Sequence, residues 1–400
     1  MGHGNSAPRL CLIRLSHFPG DPRLEREVAA LVEAGFAVDV VCIKRGKQGA
    51  RALVAGAEVY RLPLHHRRKG KLSYVLEYLL SFLLASVLTS CLHLFRHYKV
   101  VQVNTLPDFL VFVALVPRLL GARVLLDMQE VTPELYASRF HVSQDSAQVR
   151  LMALLERVSA SFAHAILCVS EPTREALVRR GIPADKLHVV MNVADDQLFP
   201  SLPPEHPGPD SDGSLRLMSH GTVVERHGLQ VAIEAVALVR QHVPGIHFSI
   251  LGEGEYLPQL QALATRLGVE DSISFHGYVP LHEIPSYISG CHGGIVSNLR
   301  DCFMDLVLPT KLMEYVAMGK PVIASRTKAI QSYFDDSMVL FFEPGQAHDL
   351  AQRILELYRD SDRGVGLARN AQDFLRRYPW QTTREAYVGV VRHLAAAAAN

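Results

Sequence analysis

Residues 293–325 read GGIVSNLRDCFMDLVLPTKLMEYVAMGKPVIAS. The stretch begins with an unbroken apolar run, GGIVSN (293–298), and ends with another, PVIAS (321–325). Between them, residues 311–318 carry a helical pattern that Gly-Lys-Pro stops. Two apolar strands joined through a helix form a parallel pair, because a parallel connection needs a crossover of this length. Such unbroken runs are covered on both faces of the sheet. The intervening helix also carries Lys311 and Glu314, three residues apart, and a buried strand-helix-strand scaffold does not by itself explain that pair.

The same alternation extends in both directions. Downstream lies VLFFE (339–343); upstream lie LRLMSHG (215–221), a helix near 228–242, IHFSILG (246–252), a helix near 255–267 and SISFHG (272–277). The first half repeats the pattern with LCLIRL (10–15), a helix over 22–34, VDVVCI (38–43), VVQVN (100–104), VLLDM (124–128) and ILCVS (166–170). Between the halves, PSLPPEHPGPDSDGS (200–214) holds five prolines and no apolar periodicity, the composition of a linker. The expected fold class is therefore α/β, with two tandem doubly wound parallel-sheet, Rossmann-like domains. The expected boundaries are 1–199 for the first domain, 200–214 for the linker and 215–378 for the second domain, with 379–400 a last helix returning to the first. The AAAAAN end (395–400) is expected to fray.

Composition narrows the partners. Four hundred residues at 48% hydrophobic supply two cores. Lys+Arg 41 against Asp+Glu 40 leaves a net charge of +1, so no whole-molecule field draws nucleic acid. The six cysteines (11, 42, 91, 168, 291 and 302) form no CxxC pair and sit mostly in apolar runs, as reduced thiols do. MGHGNSAPRLCLIRL lacks the long apolar core of a signal peptide, and the expected location is the cytoplasm. No metal site is expected, since no DxD-like pair follows a strand and no His/Cys cluster has ligand spacing.

In doubly wound sheets ligands bind outside the carboxyl ends of the strands. After LCLIRL comes SHFPGDPRLERE (16–27), where Gly20 and Asp21 precede a helix N-terminus; a plain strand-to-helix turn reads equally well. SHGTVVERHG (219–228) follows a strand, with Gly221 allowing close backbone approach and Arg226 and His227 adding basic groups, a candidate diphosphate cradle. LGEGEYLPQL has Gly252 and Gly254 but lacks the third glycine of GxGxxG, which argues against an NAD fingerprint.

Taken in order, GTVVERHGLQVAIEAV, FSILGEGEYLPQL, ISFHGYVP, IPSYISGCHGGIVSN and LPTKLMEYVAMGKPVIAS resemble the retaining family 4 glycosyltransferases of GT-B fold, bacterial sugar transferases that use nucleotide-sugar donors. The likeness is strong over 215–390 and reaches the first half through DPRLEREVAALVEAGFAVDVV, LLDMQEVTPELY and KLHVVMNVADDQLF. It implies two domains facing a cleft. It also implies retaining transfer of a sugar from a nucleotide-sugar to a hydroxyl of a glycan or lipid-linked acceptor, as in surface-polysaccharide or glycoconjugate biosynthesis, with no cofactor and no metal. Glu314 matches the family's ribose-binding carboxylate, and Lys311 and Arg226 fall where diphosphate charge is met; Asp305 and Glu130 complete the implied catalytic set. The implied donor positions are Gly221, Thr222, His227, Gly252, Gly254, Tyr278, Val279, Asp301, Pro309, Thr310 and Glu314. Gly20, Asp21, Asp127 and Gln129 fall on acceptor-side loops.

The chain departs from the family pattern in three places. The first Glu of the usual two-glutamate motif is Leu306, flanked by Asp301 and Asp305; the usual lysine before the glycine is His227; the usual His after the first-domain strand is Gln129, followed by Glu130. A salt bridge on a solvated helix face competes as a reading of Lys311 and Glu314. Two further functions stay open, a sugar-nucleotide 2-epimerase of the same architecture and a degenerate nucleotide-sugar-binding protein.

The stretch 65–99, HHRRKGKLSYVLEYLLSFLLASVLTSCLHLFRHYK, is basic at both ends and uncharged from 78 to 92, short of the ~20 apolar residues that span a bilayer. A helix packed on one face, with its basic flank on anionic headgroups, fits that pattern and suits a lipid-linked acceptor at the inner face of the plasma membrane. A plain core helix is the alternative.

Overall fold

The computed structural model describes residues 7–64, 71–204 and 208–398. The basic run 65–70 and residues 205–207 of the expected linker lie outside the described residues. The chain divides into two units, Met1–Met191 with Thr383–Asn400, and Asn192–Thr382.

In the first unit the apolar runs become β1 (Arg9–His17), β2 (Ala37–Ile43), β5 (Val100–Asn104), β6 (Arg123–Met128) and β7 (Ala165–Cys168). Three strands were not expected: β3 (Arg51–Val54), β4 (Ala57–Leu62) and β8 (Leu187–Val189). The sheet order is β3-β4-β2-β1-β5-β6-β7-β8, and only the β3/β4 pair is antiparallel. That hairpin turns on Ala55 and Gly56, both at positive φ (50° and 78°); an alanine there carries no sequence signal for a left-handed turn. Strand residues such as Val40, Val101, Leu125 and Leu167 are fully buried, as an α/β sheet covered on both faces requires.

Strand order reverses at β1/β5, and there the interior is polar. Glu27, on the Pro22–Glu33 helix, accepts from Gln102 and Asn104 at Oε2 (2.9 Å each), while Asp127 at the end of β6 accepts from Asn104 (2.8 Å) and from the Arg23 guanidinium (2.8 Å). The Tyr387 hydroxyl donates to Gln102 Oε1 (2.7 Å), which brings the Trp380–Ala397 helix into the network. That helix shares the first unit's core through Tyr387, Val388, Val391, Leu394 and Ala395. Burying each large side chain of this set contributes about 1.5–3 kcal/mol. Of the AAAAAN end, 395–398 are described: Ala395 is buried, and Arg123 and Lys99 donate to the carbonyls of Ala397 (3.1 Å) and Ala398 (3.4 Å), satisfying acceptors that a helix C-terminus leaves open.

The second unit holds β9 (Leu215–His220), β10 (Ile246–Leu251), β11 (Ile273–Gly277), β12 (Gly293–Val296), β13 (Val322–Ser325) and β14 (Leu340–Phe342). All pairs are parallel, in the order β11-β10-β9-β12-β13-β14, so the reversal falls at β9/β12. The expected linker 200–214 is a correction. Its described residues belong to the second unit, because Leu202 donates its N–H to Ala317 O (3.1 Å) and accepts from Gln372 (2.6 Å), while Asp210 pairs with Arg216. Prolines here remove donors without preventing the remaining amides from docking.

Burial and the neighbouring Asp127 push the Glu27 carboxyl up to about 8. The folded state therefore holds a proton there that the unfolded chain releases near 4.5, so the unfolded state binds fewer protons from pH 4.5 to about 8 and stability falls as pH rises through that window. Glu27→Gln keeps an acceptor for Gln102 and Asn104 and removes the titration. Thermal denaturation should show a melting point that declines with pH across this window in the parent and a flatter profile in the variant; parallel profiles would refute it.

Candidate functional site

The β9/β12 reversal opens a crevice at the carboxyl ends of the strands, where doubly wound sheets take ligands. The Thr310–Ala317 helix, which follows β12, is packed there by Tyr315. Gly294 on β12 has no side chain, and a Cβ at that position would collide with the Tyr315 ring. The Tyr315 hydroxyl lies 2.9 Å from His220 Nδ1, and His220 Nε2 lies 2.5 Å from Glu314 Oε2. A carboxylate only accepts, so Nε2 carries the proton and Nδ1 accepts from the tyrosine. Glu314 is thus oriented from the end of β9. It is not the solvated partner of a surface lysine, since it is 7% exposed.

One helical turn earlier, half-buried Lys311 donates to Ser219 Oγ (3.3 Å). Burial pushes its ammonium down to about 8, a loss that Glu314 partly offsets. Pro309 caps this helix without a side-chain hydrogen bond, leaving the first amides beside Lys311 to meet an anion. Thr310 opens the helix. Arg226 sits over the Phe303 ring (5.7 Å), with a buried Nε that has no hydrogen-bond partner, and its carbonyl accepts from Leu299 N–H (2.9 Å).

His227 is corrected as a source of charge. Its Nδ1 donates to Thr222 O (2.7 Å), closing the 222–227 loop, and burial, with Lys311 and Arg226 nearby, pushes it down to about 3. It is a neutral ring at working pH. Gly252 and Gly254 serve loop packing: a Cβ at either would strike the carbonyl of Gly221 or of Val223. Those loops are laced by Gly221 N–H to Leu251 O (2.9 Å) and Val223 N–H to Glu253 O (2.9 Å). Gly221 itself, at φ 114°, faces open space. Tyr278 is exposed and Val279 half-buried after β11, at the sheet edge.

The two aspartates weighed as substitutes for the missing glutamate have structural duties. Asp301 Oδ1 accepts from the amides of Phe303 (2.8 Å) and Met304 (2.7 Å), folding the turn before the helix. Asp305 accepts from Lys328 N–H (3.1 Å) and pairs with Arg300 (3.7 Å) and the Lys328 ammonium (3.6 Å).

In the first unit, Asp21 caps the Pro22–Glu33 helix by accepting from Leu24 N–H (3.3 Å) and pairs with Arg14 (2.5 Å). Asp127 is fully buried in the network under the sheet end. Gly20, at φ 129°, donates to Glu25 (2.6 Å), and Gln129 donates to Asp127 (2.9 Å); with half-buried Glu130 they stand at the carboxyl ends of β1 and β6.

Three site residues escaped the sequence reading: Ser219, His220 and Asn298. Asn298 is 1% exposed with neither side-chain polar atom paired, between Ser297, which donates to His227 O (2.9 Å), and Leu299. The available signal was polar residues at the tips of otherwise apolar strands. Among the described residues no group of His, Cys, Asp and Glu has the arrangement to hold a metal. The assembled crevice can receive an anion at Lys311, Arg226 and the helix N-terminus and a hydroxyl pair at Glu314.

The family model described as "Glycosyl transferases group 1" matches residues 214–360, and "Glycosyl transferase 4-like domain" matches 21–192. The amylovoran biosynthesis glycosyltransferase AmsK of Erwinia amylovora is 28% identical over 195 residues, 48% of this chain and 47% of that protein. The lipopolysaccharide core biosynthesis glycosyltransferase LpsE of Rhizobium meliloti is 29% identical over 160 residues, 40% and 44% of the two chains. The chain spans about half the length of the curated relatives it matches. Among solved structures, sucrose-phosphate synthase from Thermosynechococcus elongatus superposes with a TM-score of 0.77 at 18% identity, over 98% of this chain and 100% of that one. Anabaena HepE in complex with UDP-glucose gives 0.70 at 18%, over 96% and 99%.

Folded Lys311 releases its proton near 8 and the unfolded chain near 10.5, so the unfolded state binds more protons between these values and stability rises with pH there. Lys311→Met should raise the melting point at neutral pH and abolish that rise. Melting curves from pH 7 upward check it; an unchanged slope in the variant would remove the desolvated-ammonium account.

Proposed function

Because the chain belongs to the GT-B family 4 glycosyltransferases, we propose that it transfers a sugar, with retention, from a nucleotide-sugar to a hydroxyl of a glycan or lipid-linked acceptor. The carrying observation is the pairing on one helix of Lys311 and Glu314, with the glutamate oriented by His220 and the lysine beside uncapped amides. Glu314 accepts the ribose hydroxyls at Oε1 and at the remaining lone pair of Oε2, the oxygen that already accepts from His220. Lys311, Arg226 and the helix N-terminus meet the diphosphate, and their interaction strengthens as the glycosidic bond breaks and charge grows on the leaving group. The leaving phosphate takes the acceptor's proton on the same face, so the configuration at the sugar carbon is kept. Glu130 and Gln129 remain acceptor-side candidates, and Tyr278 a surface on which the base can lie.

Metal independence belongs to this reading, since cations and helix amides supply the charge that a divalent ion would. The relatives named above act in polysaccharide and lipopolysaccharide biosynthesis, which favours transfer over 2-epimerisation. A cytoplasmic location with peripheral contact at the inner face of the membrane completes the proposal.

Glu314→Gln should weaken nucleotide-sugar binding by roughly 1.5–3 kcal/mol, the worth of a charge-assisted hydrogen bond, with little change in melting point. Calorimetric titration with UDP-, GDP- and ADP-sugars checks this, and an unaltered dissociation constant would remove Glu314 from the ribose. Transfer should also survive EDTA; loss of turnover that Mg²⁺ or Mn²⁺ restores would overturn the metal-free assignment.

A further inference from the structure

The Lys71–Arg96 helix contains an 18-residue stretch, Leu79–Arg96, of mean hydropathy 1.7, only 22% of it buried. One narrow stripe holds it to the first unit: Ser81, Ala85, Thr89 and His93, four residues apart, are buried. Phe82 packs edge-on against Phe109 (6.0 Å) beneath. The outward side is apolar and open to solvent, with Val87 63% and Phe95 82% exposed. This apolar surface does not stop at one helix. The adjoining Leu115–Leu119 helix exposes Leu119 at 76%, and the Ala147–Phe162 helix exposes Leu151 and Leu154. The segments are joined through Phe112 against Phe162 (5.0 Å) and the Arg118 guanidinium over the Phe162 ring (4.4 Å).

From 78 to 122 the only acid is Asp108, and on the Ala147–Phe162 helix the only acid is Glu156; both are buried. The charges that the Ala147–Phe162 helix does expose are Arg150 and Arg157. We infer that these three helices form one docking face for an anionic lipid bilayer, with leucine, valine and phenylalanine entering the headgroup boundary and the arginines meeting phosphate. The charge pattern selects the occupant. Protein interfaces carry polar rims, whereas this face pairs apolar area with exposed cations, and the one acid on it that is not buried, Glu77 near the start of the Lys71–Arg96 helix, is only partly exposed. The helix lies on the bilayer and does not cross it, because crossing would pull Thr89 and His93 from their packing into hydrocarbon.

This deepens the peripheral contact proposed above and is tested without donor or acceptor. The parent should sediment with vesicles of equal parts phosphatidylcholine and phosphatidylglycerol and much less with phosphatidylcholine alone, and added salt should weaken it. Phe95→Glu with Leu119→Glu should cut the bound fraction about tenfold. Arg150→Ser with Arg157→Ser, both exposed, should cut it several-fold and reduce its salt dependence while the melting point stays at the parent's. A parent that stays in the supernatant with mixed vesicles at low salt, or variants that pellet like the parent, would overturn the inference. So would a vesicle-free dimer by light scattering that Phe95→Glu with Leu119→Glu dissociates, which would assign the face to a second copy. Donor turnover in vesicle-free solution reports separately on the transfer reading.

Discussion

The contact between Tyr315 and the bare backbone of Gly294 sets the geometry of the second unit's crevice. Only glycine lets the ring lie on β12, and only with the ring there does its hydroxyl reach His220. His220 then fixes the next side chain on the helix, Glu314, and the same seating brings Lys311 over Ser219. A methyl at 294 would lift the helix as a body and move two charged groups together. The polar positions along the helix are therefore consequences of an apolar contact beneath it.

The two units handle buried charge differently. In the first, Arg23 is enclosed with Glu27 and Asp127, whose carboxylates also accept from the amides of Gln102 and Asn104, and one guanidinium nitrogen, Nη1, is left without a partner. In the second, Lys311 is half-buried with Glu314 as its charged neighbour, Arg226 keeps an unpaired Nε, and Asn298 keeps an unpaired amide. Satisfied networks rigidify a fold, whereas orphaned buried groups are costly until something binds them.

Unbroken apolar runs made the sheets legible in the sequence, because a strand covered on both faces has no other composition. The helix bearing Lys311 and Glu314 was legible for the opposite reason, two charges where burial forbids idle ones. What escaped notice follows from short-range ambiguity. Ser219 and His220 end an apolar run and read as part of it. Asp21, Asp301 and Asp305 have the residue type of reacting groups, yet each spends its oxygens on backbone amides, a use that depends on where a turn bends. His227 looked cationic until the Thr222 carbonyl and its burial were seen. The prolines of 200–214 suggested a free tether, but docking depends on the amides between them and on a Gln372 far along the chain.

The Trp380–Ala397 helix joins the first unit's core although it follows the whole second unit in the chain. During synthesis, the ribosome must extrude the whole second unit before Tyr387 can reach Gln102, so the first sheet waits with its polar reversal point and part of its apolar face open. Vectorial folding thus runs out of order in this chain. The second unit can close before that helix has been made.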